Sequence, residues 1–260
     1  MQKTFRHIAL LIDADNVSAK HIEHVLTELT NSGRTTVRRI YGDWTSRHLS
    51  AWKDIANEYS LQPVQQFAYT SGKNSTDSAL IIDAMDLLHQ ARHDAFAIVS
   101  SDSDFTRLAS RLRESGAHVF GFGERKTPEA FRAACDTFKY FDALEVDLID
   151  AEDPKPDESL TAPDTSPPKR KTGKQLRGDT KLMNLIRQGT NSSSDDDGWA
   201  NLATVGSWIQ QNSADFDPRN WGYTKLSDLI REIGETHFEL KKVALANGAQ
   251  TLVLRIPTKN

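Results

Sequence analysis

Two apolar runs that each stop at a pair of carboxylates constrain this chain more than any other feature. Ile8-Ala-Leu-Leu-Ile12 leads into Asp13-Ala-Asp-Asn16, and Ile98-Val-Ser-Ser leads into Asp102-Ser-Asp-Phe105. Runs at 8–12, 36–41, 61–67, 94–100 and 117–122 are too short for typical helices and read as strands. The stretches between them carry helical spacing, most clearly Phe105, Leu108, Ala109 and Leu112 on one face. Residues Ser75 to Leu88 open with capping residues and are apolar around much of the helix circumference, which predicts a largely buried helix. Strand alternating with helix from Ile8 to about Asp142 predicts an α/β domain with an open parallel sheet. In such sheets the carboxyl ends of the strands meet at one crevice, so acids placed there from distant segments converge.

Asp13 and Asp15 follow the first strand, Asp102 and Asp104 follow the fourth, and Asp77 lies in the first turn of the buried helix. Carboxylates gathered together repel one another, and a divalent cation is the usual way to keep them ionised. The helix N-terminus favours negative charge at Asp77. Asn16 supplies a neutral amide that can orient Asp13 or a metal-bound water. Oxygen donors of this kind suit Mg²⁺ or Mn²⁺. Such ions can generate a hydroxide nucleophile, align attack on phosphorus and stabilise the departing oxygen. Asp13, Asp77 and Asp102 are the first candidate ligands, with Asp104 bound directly or through water. Plainer roles compete: Asp104 as a cap for the helix that follows, Asp77 as a partner of the helix dipole. Asp15 is expected to point away from the crevice, and Asp83 and Asp86 to lie on the helix surface or behind the ligands.

The rest of the sequence sets the context. A length of 260 residues suits one large or two ordinary domains, and 38% hydrophobic content is adequate for packed cores. Residues 1–150 carry 17 Lys and Arg against 21 Asp and Glu, and residues 151–260 carry 15 of each, so any nucleic-acid contact must be local. A single cysteine, Cys135, excludes an intrachain disulfide framework and a Cys-rich zinc site. No apolar run approaches the ~20 residues that cross a bilayer, and no signal-peptide order is present, so a cytoplasmic protein without membrane contact is expected. The expected domains are 1–146, a Pro-rich flexible linker over 147–177, and 178–260. The linker ends in Lys169, Arg170, Lys171, Lys174 and Arg177, suited to a phosphate backbone or simply to a solvated linker. Beyond it, apolar positions at Leu182, Leu185 and Ile186, then Leu202, Val205 and Ile209, then Leu226, Leu229 and Ile230 predict three short helices. Two strand-like runs, 238–243 and 251–256, joined by a turn at Ala246-Asn-Gly-Ala249, complete a small winged helix. There Trp221, Tyr223 and Lys225 are candidates to stack on a base and pair with a phosphate, with core packing the competing role for Trp221.

Three segments also carry a family resemblance. Ile12-Asp-Ala-Asp-Asn16, Gly72-Lys-Asn-Ser-Thr-Asp77 and Ser100-Ser-Asp-Ser-Asp-Phe105 resemble, in order, the motifs of the NYN (LabA-like) branch of the PIN-like nucleases, over about residues 5–145. The resemblance implies a Rossmann-like PIN/NYN parallel sheet with helices on both faces and metal-dependent cleavage of RNA. It places Asp13, Asn16, Asp77, Asp102 and Asp104 on the family's acidic site and Lys73 where a phosphate contact is possible. Gly198 to Trp208, Phe216 to Ile230 and Phe238-Glu-Leu resemble an OST-HTH (LOTUS) domain, a winged helix associated with RNA binding and protein docking. The acidic Asp195-Asp-Asp197 just before that motif departs from a phosphate-binding surface.

The combined reading is a metal-dependent ribonuclease, expected to act as an endonuclease, with RNA as its partner and a targeting domain that also has the makings of a protein-docking module. Two rivals remain. Asp13-Ala-Asp15 after a strand is similar to the Asp-x-Asp of haloacid-dehalogenase-like phosphatases, although Asn16-Val17 stands where that family has Gly-Thr. A non-catalytic RNA-binding or adaptor protein could keep the fold without the chemistry, which the full set of acids opposes.

Overall fold

The computed structural model describes residues 4–66, 75–145, 168–244 and 250–257. The chain divides into two units, residues 1–144 and 145–260. In the first, β1 (Phe5–Asp13), β2 (Gly33–Gly42), β3 (Gln62–Gln65), β4 (Ala95–Val99), β5 (His118–Gly123) and β6 (Thr137–Tyr140) form one sheet in the order β3-β2-β1-β4-β5-β6. Every neighbouring pair is parallel. The helices are α1 (Ile22–Ser32), α2 (Trp52–Glu58), α3 (Ser75–His89), α4 (Thr106–Glu114), α5 (Glu129–Ala134) and α6 (Phe141–Leu144).

Residues 8–12 of β1 and the whole of β4 are apolar and buried because both faces of the sheet are covered there. On β1, Ile8, Leu10 and Ile12 enter a core shared with α1, α2 and α6, while Ala9 and Leu11 enter a second core with α3, α4 and α5. Along β4, Ala95, Ala97 and Val99 face the first core and Phe96 and Ile98 the second. Strand order reverses between β1 and β4, whose register sets Ile12 opposite Val99. The residues just after those two, Asp13 and Ser100, therefore stand side by side at the switch point where such sheets bind ligands. Five of the six strands match the apolar runs. The sixth, β6, was not expected: it has four residues and pairs only with β5 at the sheet edge.

The second unit is built from α7 (Gly173–Gly178), α8 (Thr180–Ser193), α9 (Leu202–Asn212) and α10 (Leu226–Ile233), with a sheet of β7 (Ala200–Asn201), β9 (Gln250–Arg255) and β8 (Glu239–Ala244) in that order. This is the expected winged helix with one helix and one short strand added. The expectation of a flexible linker as far as Arg177 needs correcting, because the chain is folded from Pro168 onward. Leu176 on α7 is fully buried, Lys171 N–H donates to the Trp221 carbonyl at 3.0 Å, and the Arg177 guanidinium donates to the Ile233 carbonyl at 2.7 Å. Proline-rich composition hid a helix whose only large apolar residue does the anchoring. Residues 147–167 of the expected linker and the turn at 246–249 lie outside the described residues.

Candidate active site

Three carboxylates come together at the carboxyl end of the sheet. Asp77 in the first turn of α3, and Asp102 and Asp104 after β4, each offer an oxygen within 4.8 Å of the others. Local chemistry fixes the loop that carries two of them. Asp102, rather than Asp104, is the capping residue: its Oδ1 accepts from the Asp104 N–H at 2.9 Å at the start of the turn Ser103–Phe105. That leaves the exposed Asp104 side chain beside Asp77 and Asp102.

Asp13 sits behind this trio. It is 2% exposed, its Oδ2 accepts from the Ser100 hydroxyl at 2.8 Å, and its Oδ1 is buried without a hydrogen-bond partner. Burial, with the Asp77 and Asp15 charges nearby, pushes the Asp13 carboxyl up to about 7. The Asp77 carboxyl rises to about 6, first through desolvation and then through repulsion from Asp102, Asp104 and Asp15.

A single hydroxyl ties the two strand ends together. Ser100 Oγ donates to Asp13 and accepts from the Asp102 N–H at 3.1 Å. Asn16 Oδ1 accepts from the Ser101 N–H at 3.1 Å, and Ser101 Oγ accepts from the Glu124 N–H at 2.9 Å. Asn16 thus positions backbone rather than pointing its amide at Asp13. Asp15 is exposed and stands outside the trio, and its Oδ2 accepts from the Thr76 hydroxyl at 2.7 Å, which holds the first turn of α3 to the end of β1. Sequence reasoning missed Ser100 and Thr76. Hydroxyls immediately before the two acidic segments were the available signal. Asp83 lies on α3 and accepts from Arg39 and Tyr41 of β2, anchoring the helix to the sheet, whereas Asp86 is exposed. Lys73 lies outside the described residues.

This donor set fits a hard divalent cation. The oxygens of Asp77, Asp102 and Asp104 converge, and the Asp13 and Asp77 carboxyls are raised above the ordinary carboxylate range by burial and neighbouring acids, a repulsion that a cation relieves.

A family model for the NYN domain matches residues 7–145, more than half of the chain. The chain belongs to the NYN domain family. The OST-HTH/LOTUS domain model matches residues 177–247, so the NYN domain is followed by an OST-HTH/LOTUS domain. No curated protein matches the chain. Among solved structures, a protein of unknown function from Vibrio parahaemolyticus is 19% identical, with a TM-score of 0.44, covering 54% of this chain and 96% of its own. An uncharacterized protein from Nitrosomonas europaea is 26% identical, with a TM-score of 0.29, covering 41% of this chain and 94% of its own.

In the OST-HTH/LOTUS domain, the aromatic candidates are structural. Tyr223 is 2% exposed, its hydroxyl donates to the Lys171 carbonyl at 2.6 Å, and the Arg170 guanidinium lies over its ring at 4.6 Å. The expectation that Tyr223 stacks on a base does not survive that burial. Trp221 is half-buried, donates its indole N–H to Asp179 at 3.0 Å and packs near Phe216. Gly222 between them has φ +80, and a Cβ there would come within 2.7 Å of the Arg170 backbone, so only glycine lets these two segments close. Lys169, Arg170 and Lys225 are exposed and Lys171 is half-buried. No helix among the described residues is long and apolar enough to cross a membrane.

Proposed function

We propose that the NYN domain is a divalent-cation-dependent ribonuclease acting within RNA strands, and that the OST-HTH/LOTUS domain brings RNA to it. The observation that carries this reading is the convergence of Asp77, Asp102 and Asp104 in front of a buried Asp13, at the strand-order reversal of an NYN domain. In the reaction a water oxygen bonds to phosphorus, one phosphoester P–O bond breaks, and the departing oxygen takes a proton. Asp77, Asp102 and Asp104 would hold Mg²⁺ or Mn²⁺, with Asp13 supporting from behind. A bound cation would supply charge neutralisation at the phosphate and acidification of water. Ser100 and Asn16 keep the acidic loop aligned with the end of β1. The apolar second core beneath the cluster keeps bulk water from its inner side. Exposed Lys169, Arg170 and Lys225 give the C-terminal unit cations for a phosphate backbone.

A phosphatase of the haloacid-dehalogenase kind is disfavoured, since Asp13 would have to be its nucleophile and is buried against Ser100. The deciding assay incubates the purified chain with labelled single- and double-stranded RNA and DNA in Mg²⁺, Mn²⁺ or chelator. RNA cleavage that requires the cation, and that falls at least ~100-fold in Asp102→Asn while folding and RNA binding persist, is expected. Cleavage that survives chelation, or that Asp102→Asn leaves intact, would refute the assignment.

A further inference from the structure

A cleft of about 690 Å³ opens between the ends of β2 and β3 and helix α2. Its floor is apolar and fixed, with Leu49, Trp52 and Leu61 buried and Trp44 half-buried beside them. Trp44 is pinned twice: its backbone N–H donates to Gln65 Oε1 and its indole N–H to the Val64 carbonyl, both at 3.0 Å. Gln65 in turn donates to Asp43 Oδ1 at 3.0 Å, and the same oxygen accepts from the Thr45 backbone and hydroxyl. The wall is thus shaped before any ligand arrives.

Two features say what the cleft accepts. Exposed Arg47 and Lys53 stand on its rim, and among the described residues that line it there is no acid. It also lies close to the acidic segment that follows β1. A Cβ on Gly42 would lie 2.6 Å from Cδ1 of Leu49, which lines the cleft, and 3.5 Å from Asp15 Oδ1. One glycine therefore separates the apolar wall from the acidic segment that follows β1.

We propose that this cleft is a nucleobase subsite for single-stranded RNA whose phosphodiester lies at the carboxylates, an inference that rests on the nuclease reading. The base occupies the Trp44 side of the apolar floor, and Arg47 and Lys53 engage the adjoining phosphates. An aromatic and apolar floor beneath a cationic rim matches a π-faced base attached to an anionic backbone. The volume lies within the ~300–1,000 Å³ range of small-ligand sites. Bases of a duplex stay stacked inside it, so the cleft selects strands whose bases are free.

The test uses the full chain in two arms. In the first, Asp102→Asn is irradiated with a uridine hexamer carrying one 4-thiouridine, and the cross-linked peptide is identified. In the second, Arg47→Ser/Lys53→Ser and Asn57→Phe, all at exposed positions, are assayed on a short single-stranded RNA. Cross-links within residues 43–65 are expected, with KM raised at least ~5-fold in both variants and kcat within ~2-fold. Cross-links confined elsewhere, or an unchanged KM in both variants, overturn the subsite while leaving any observed cleavage, and so the nuclease reading, standing. A cross-link in the cleft, when the unaltered chain cleaves nothing, supports the subsite and removes the nuclease.

Discussion

Replacing Asp13 by Asn should stabilise the cation-free protein while disabling its site. Asp13 is 2% exposed and its carboxyl is raised from 3.8 to about 7, mainly by desolvation. A group whose pKa is raised on folding binds its proton more tightly in the native state, so native stability falls as pH climbs from the unfolded value toward the folded one. Below about pH 4 the group is protonated in both states and costs nothing. Above about pH 7 the folded protein carries the whole penalty, for which the displacement sets a ceiling of about 4 kcal/mol. Relaxation and water entry reduce this, and ~1–3 kcal/mol is the expected gain for the isosteric amide, or roughly 3–9 °C in Tm for a domain of this size. Thermal unfolding in chelator at pH 8 and pH 5 reads it directly: Asp13→Asn melts higher at pH 8, and the difference shrinks at pH 5. Saturating Mn²⁺ should raise the melting temperature of the unaltered chain and do less for the variant. A variant that melts lower at pH 8, or by the same margin at both pH values, would show that burial of the charge is not what destabilises this site.

Other consequences follow from the same geometry. Because protons on Asp13 and Asp77 compete with the cation, Mn²⁺ affinity measured by calorimetry should weaken at least ~10-fold as pH falls from 7 to 5. Ser100→Ala removes the hydroxyl shared by Asp13 and the Asp102 N–H, and should lower kcat at least ~10-fold with the circular dichroism spectrum unchanged. Leu176→Ala should destabilise the OST-HTH/LOTUS domain by ~2–4 kcal/mol in denaturant titration, since that side chain is fully buried and carries α7 onto the core. A C-terminal fragment beginning at residue 178 should unfold more readily than one beginning at 168, which the same titration compares.

The sequence disclosed most where one physical cause acts alone. Strands covered on both faces must be apolar throughout, so β1, β4 and β5 stood out as runs, and the acids after β1 and β4 marked the crevice. It disclosed less where a residue's role depends on a distant neighbour. Nothing local separates Asp13, which retreats against Ser100, from Asp77, Asp102 and Asp104, which face one another; that sorting depends on the register of β1 against β4. β6 was hidden by its shortness and α7 by its surroundings. For α7 a usable signal existed: Thr172 and Gln175 stand three apart as a capping box, and the Thr172 N–H donates to Gln175 Oε1 at 2.9 Å. Tyr223 shows the opposite error, an aromatic beside basic residues whose ring serves the core and whose hydroxyl closes onto the Lys171 backbone.

The pairing of β1 with β4 also governs when the site can exist during synthesis. Asp13 is made early and can join β2 while the chain is still short, yet Ser100 and Asp102 lie nearly ninety residues later. The acidic pocket comes into being only when those remote strands close beside each other, a slow, long-range step for any polypeptide. A nascent chain that has not yet released β4 therefore carries Asp13 without the Ser100 hydroxyl that holds it or the Asp102 and Asp104 carboxylates beside it.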